Sequence, residues 1–119
     1  PRRPTMAPLF PRRKPPPAHG VTQPSSTHRA QSLPNQDAYF HFTTAVHSLA
    51  GVFDGHGPNG AVIAHLAARH TRDRLAGDLP RADAQSYKSV LRAALRAAAA
   101  MVEREKGSDT SGCTGSVVM

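Results

Sequence analysis

The apolar positions of this chain change period along its length. In "AYFHF", residues 38–42, aromatic and polar side chains alternate, which is the period-two pattern of a half-buried strand. "TTAVHSLAGVFD" follows, and its run at 48–53 is short and apolar enough for a second, buried strand. Few residues separate the two runs, so they are expected to pair antiparallel as a hairpin. The period then becomes helical. Residues 61–75 form a first helix, with Val62, Leu66, Ala67 and His70 on one face, a break before it from the glycines near Gly60, and a stop at Gly77 and Pro80. A longer helix is expected over 83–106. Its buried stripe is Tyr87, Val90, Leu91, Ala94, Leu95, Ala98, Met101 and Val102, with Lys88, Arg92, Arg96 and Arg104 off the stripe. Asp83 near its start and Lys106 near its end suit the helix dipole, and Gly107 is a natural stop. The small and hydroxyl-bearing "SDTSGCTGSVVM" leads into a β-branched run, so a third strand starts near Thr114. Strand, strand, helix, helix, strand is an α+β order, an antiparallel sheet with helices on a face.

Composition divides the chain. Residues 1–33 carry six basic residues and no acid, with eight of the eleven prolines; residues 34–119 carry nine basic and eight acidic residues. The net charge of +7 is therefore +6 in the head and +1 in the remainder. Such a head buries too little apolar surface to offset its ordering entropy, so a disordered tail is expected over 1–33 and a folded unit over 34–119. "PRRKPPP" favours polyproline II. A linker is the plainest reading of it; a docking ligand or an Arg-rich organelle address are the alternatives. Because the basic excess sits in the tail, a nucleic-acid interface on the fold is not expected. No apolar run approaches the roughly 20 residues that span a bilayer. The single Cys113 excludes an internal disulfide framework and fits a reducing compartment, cytoplasm or nucleus.

"GVFDGHGPNG", residues 51–60, holds the candidate chemistry. Asp54 is expected at the end of a buried strand, where a carboxylate is costly unless paired or bound to a cation. Gly55 permits close approach and leaves its carbonyl open, so the pair offers the hard oxygen donors that Mg²⁺ or Mn²⁺ takes. His56 adds a side chain that exchanges protons near neutrality. The same residues also fit a tight Asp-Gly turn with a surface histidine. Asp37 precedes the first strand as Asp54 follows the second, so a hairpin brings both to one rim of the sheet. Two carboxylates there would repel by about 4 kcal/mol at an effective dielectric near 20, and a divalent cation between them removes that penalty. Asp37 alone would be an ordinary Asx-turn residue. The remaining histidines, His41, His47, His65 and His70 among them, lack the spacing of a zinc site. The helix arginines read as solvated faces.

"NQDAYF", "GVFDGHGPNG" and "SGCTGSVVM", in that order with helices between the last two, resemble the N-terminal part of the catalytic domain of the metal-dependent serine/threonine protein phosphatases of type 2C, in a form similar to the plant and algal members. The resemblance covers residues 35–119. It implies the N-terminal portion of a four-layer α-β-β-α sandwich with antiparallel sheets, monomeric when complete, and two Mg²⁺ or Mn²⁺ ions per complete domain. Asp37, Asp54 and the Gly55 carbonyl would be metal ligands, with Asp54 bridging the ions. His56 would be the general acid toward the leaving seryl or threonyl oxygen of a phosphoprotein substrate. Ser111, Gly112 and Thr114 match a motif that starts a core strand and are expected to be structural. Paired cations activate water for in-line attack on phosphorus, so Cys113 need not act as a nucleophile. Gln36 stands where the family often has Glu. The family's phosphate-binding arginine corresponds in register to Ser32, with Arg29 the nearest basic residue. Further metal-binding aspartates are expected beyond Met119, so residues 1–119 alone are expected to be inactive. A non-catalytic, pseudophosphatase-like binding protein on the same fold is the alternative.

Overall fold

The computed structural model describes Gln23, residues 34–105 and residues 108–119. The expected basic tail, Lys106 and the stop at Gly107 thus lie outside the described residues, Gln23 apart. The described chain is α+β: strands β1 (Ala38–Thr43) and β2 (Ser48–His56), helix α1 (Gly60–Asp78), a 3₁₀ turn (Leu79–Arg81), helix α2 (Tyr87–Val102) and strand β3 (Gly112–Val118). The strands form one antiparallel sheet in the order β1-β2-β3.

Alternation decides which way the sheet faces. Ala38, Phe40, Leu49 and Phe53 are buried against the helices, whereas their neighbours Tyr39 and Val52 are exposed. Both helices pack on that one side; α1 touches all three strands and α2 lies against α1 and β3. The opposite face carries Tyr39, Val52 and Val118, all exposed. The expected hairpin is present. Its turn is closed by Thr44, whose N–H donates to the His47 carbonyl at 2.7 Å and whose Oγ1 accepts from the His47 N–H at 3.0 Å. His47 then packs edge-on against Tyr87 at the start of α2, with centroids 4.6 Å apart. His41 lies within β1.

Aromatic rings and small residues fill the core. Phe40 meets Phe53 at 6.2 Å and Phe42 at 6.0 Å between centroids. Burying a side chain such as Phe53 or Leu49 is worth about 1.5–3 kcal/mol. Ala64, Ala67, Ala68, Ala94 and Ala98 are all buried, and their short side chains let α1 and α2 approach closely. Thr71 is fully buried between them, and its Oγ1 has no hydrogen-bond partner among the described residues.

The helices differ from expectation at their ends and in one face. The buried stripe of α1 is Gly60, Ile63, Ala64, Ala67, Ala68, Thr71 and Leu75. Val62 is 60% exposed, and Leu66 and His70 are half-buried, so the expected face was rotated about one residue. Gly77 does not stop the helix: its position is open to solvent, and the chain tightens instead into the 3₁₀ turn at Pro80. The second helix starts at Tyr87 behind its N-cap Ser86, not at 83, because a separate turn precedes it, closed by Asp83. Asp83 Oδ1 accepts from the Ser86 N–H at 2.9 Å and from the Ser86 hydroxyl. The expected α2 stripe holds, with Ala94 and Ala98 buried, the other six half-buried, and Lys88, Arg92 and Arg96 exposed.

Candidate functional site

The end of β2 is where the chemistry-bearing residues gather. β2 does not stop at Phe53; it continues through Asp54, Gly55 and His56, which pair with Thr114, Cys113 and Gly112 of β3. Asp54 therefore lies inside a strand and is exposed, correcting the expectation of a buried strand end. The cause is β3, which supplies ladder partners to residues that look like a turn when read locally.

Register points Asp37 to the same place. Ala38, the first residue of β1, pairs with Phe53; continuing that register one residue ahead of the strand would set Asp37 opposite Asp54. Directly opposed residues of an antiparallel pair share a face, with Cβ atoms about 4.5–5.5 Å apart. Asp54 and Thr114 are ladder partners on the face away from the helices, with His56 two residues beyond Asp54 on the same face, and the continued register would bring Asp37 into that row. Asp54 and His56 are exposed and Asp37 is half-buried. The Asx turn at the entry to β1 is made by Asn35, whose Oδ1 accepts from the Asp37 N–H at 3.1 Å. That leaves the Asp37 carboxylate unengaged: among the described residues neither it nor Asp54 makes an ion pair. The ion pairs present, Arg72–Asp73 and Arg74–Asp78, are exposed on α1.

Three of the four glycines in residues 51–60 now have a reason. A Cβ on Gly55 would lie 2.5 Å from the Gln36 carbonyl oxygen and against the Gly60 carbonyl, and one on Gly60 would lie 2.7 Å from Gln36 Oε1. The segment before β1, the end of β2 and the start of α1 thus touch backbone to backbone, and no side chain fits there. Gly57 has φ +84°, a left-handed conformation that costs other residues roughly 1–2 kcal/mol. Gln36 Nε2 donates to the Gly57 carbonyl at 2.8 Å, and Ser111 Oγ accepts from the Asn59 N–H at 2.8 Å. Ser111 is 7% exposed. These two side chains hold the turn from both sides, across 21 and 52 residues of sequence. Neither role was readable beforehand, although Ser111 stood within the motif expected to be structural.

Cys113 pairs with Gly55 on the helix-facing side of the sheet. It is half-buried, and burial pushes its thiol pKa up. A protonated thiol on the far side of the sheet is poorly placed to attack anything near Asp54.

As a donor set, one exposed and one half-buried carboxylate offer the hard oxygens that Mg²⁺ or Mn²⁺ accepts. Among the described residues no group of three or more His, Cys, Asp or Glu side chains could hold a metal. Asp37 and Asp54 by themselves would therefore supply only part of a coordination shell. No helix of the described residues is long and apolar enough to cross a membrane. No protein-family model and no curated protein matches the chain.

Proposed function

We propose that this chain is the N-terminal part of a type 2C metal-dependent protein phosphatase, which hydrolyses phosphoserine and phosphothreonine in proteins. The observation that supports the reading is the Ala38–Phe53 pairing, whose register, continued by one residue, would bring Asp37 to Asp54, with His56 two residues further along the same strand and on the same face as Asp54. Two charges so placed, with no cationic side chain paired to either among the described residues, fit residues kept for a cation.

In this reading Asp37 and Asp54 hold Mg²⁺ or Mn²⁺, together with the Gly55 carbonyl. The cations, when bound, supply Lewis acidity that neutralises phosphoryl oxygens and acidifies water. Asp54 would be the ligand that the cations share. His56 gives its proton to the seryl or threonyl oxygen as the P–O bond breaks, so the substrate leaves as a neutral alcohol. General acid catalysis of this kind contributes about 10²–10⁴-fold. The sheet face that bears these residues, with Tyr39, Val52 and Val118 exposed, is the one a second sheet would cover in a four-layer α-β-β-α domain. Gln36 holds the turn after His56, a role an amide performs and a carboxylate in its place would not.

The test is hydrolysis of a small aryl phosphate by the intact protein. Turnover is expected with Mn²⁺ or Mg²⁺ and not with chelator, and Asp54→Ala is expected to abolish it in a protein that remains folded. Metal-independent turnover, or full activity in Asp54→Ala, would reject the assignment. A folded protein inert with either cation would leave the non-catalytic reading.

A further inference from the structure

Gly112 is the ladder partner of His56, and the space above it is taken. A Cβ placed on Gly112 would lie 2.9 Å from His56 Nε2, 3.0 Å from Cε1 and 3.9 Å from Cδ2. The imidazole therefore lies across the β3 backbone, in the volume that any other residue at position 112 would fill with its own side chain. Real Cβ contacts this short force a neighbour to move, and the neighbour here is a ring with two torsions rather than fixed backbone. The adjacent Ser111 is anchored by accepting the Asn59 N–H at 2.8 Å, which fixes the β3 backbone relative to the turn that follows His56.

We propose that Gly112 is a positioning residue for His56: its missing side chain provides the seat on which the imidazole rests, one rung from Asp54. This rests on the reading of His56 as the proton donor. The same strand supplies its own control. A Cβ on Gly115 would meet the Phe53 ring at 2.7 and 2.8 Å, on the helix-facing side. Alanine at 115 disturbs the core; alanine at 112 disturbs the candidate acid.

The experiment compares Gly112→Ala, Gly115→Ala, His56→Ala and Gly112→Ala/His56→Ala in the intact protein with Mn²⁺, on two probes. Phenyl phosphate has a leaving group that needs a proton; p-nitrophenyl phosphate has one that does not. Gly112→Ala is expected to lower kcat on phenyl phosphate by about 10-fold or more, since misplacing a catalytic group by about 1 Å can cost 10²-fold. KM should stay within about 2–3-fold, and the loss on p-nitrophenyl phosphate should be several-fold smaller. In the His56→Ala background Gly112→Ala should have no further effect on the ratio of the two rates. Gly115→Ala should lower stability and leave that ratio unchanged. Equal losses on both esters, or a loss that persists without His56, would overturn the proposal. A nuclear Overhauser contact between the His56 ring and Gly112 Hα in the unsubstituted protein is expected independently of any variant, and its absence would also overturn it. If the intact protein hydrolyses neither ester, the proposed function fails, and this contact alone decides whether Gly112 seats the ring.

Discussion

Replacing Asp54 by Asn removes one charge from a facing pair and changes almost nothing in shape. Two carboxylates about 5 Å apart repel by about 0.8 kcal/mol in a water-like dielectric. Asp54 is exposed, so the high-dielectric figure is the right one. At 0.15 M salt the screening length of about 8 Å reduces this to about 0.4 kcal/mol. Asp54→Asn is therefore expected to stabilise the metal-free protein by about 0.4–0.8 kcal/mol. For a folded unit of about 60–100 residues, which gains about 4–8 °C per kcal/mol, this is a rise of about 2–6 °C in chelator, larger at low salt. Mn²⁺ should reverse the order. At ten times its Kd it adds about 1.4 kcal/mol to the unsubstituted protein and little to Asp54→Asn. Thermal melts of both proteins, with chelator and with Mn²⁺ at two salt concentrations, read all four quantities. A lower metal-free midpoint in Asp54→Asn would mean that Asp54 makes a favourable contact within the fold and does not face Asp37. An equal Mn²⁺ shift in both proteins would mean that no cation uses Asp54.

Thr71→Val keeps the volume of a fully buried side chain and deletes a hydroxyl with no partner among the described residues; a gain of about 1 kcal/mol in urea denaturation is expected, and a loss of that size would show that the hydroxyl is hydrogen-bonded. Ser111→Ala removes the acceptor of the Asn59 N–H, and at about 1–1.4 kcal/mol its local effect should be a fall of about 10-fold in amide-exchange protection at Asn59. Two hydrogen bonds from Ser86, the hydroxyl first and the backbone second, hold the Asp83 carboxyl below its usual range. A depressed carboxylate stabilises the fold above its unfolded pKa and loses that contribution as pH falls through its folded value. Protection of the Ser86 amide should accordingly fall on acidification below the ordinary carboxylate range, and in Asp83→Ala it should be low at every pH.

The alternation in "AYFHF" and the spacing of Tyr87, Val90, Leu91, Ala94, Leu95 and Ala98 state their own structure, because burial repeats every two residues on a strand and every 3.6 on a helix whatever lies elsewhere. The short gap between the two strand runs likewise made the hairpin legible, and with it the expectation that Asp37 and Asp54 share one rim. What local pattern could not supply was the partner. β2 runs on to His56 only because β3, more than fifty residues later, offers it a ladder. A glycine-rich stretch carries no sign of whether such a ladder exists. The rotated face of α1 has the same origin: Val62 is as apolar as Ile63, and only the position of the sheet decides which is covered. The particular roles of Gly112, Ser111 and Gln36 are silent in sequence for a related reason. The first matters through the space it leaves, and the other two through hydrogen bonds to atoms remote along the chain, quantities that exist only once the three strands and α1 have come together.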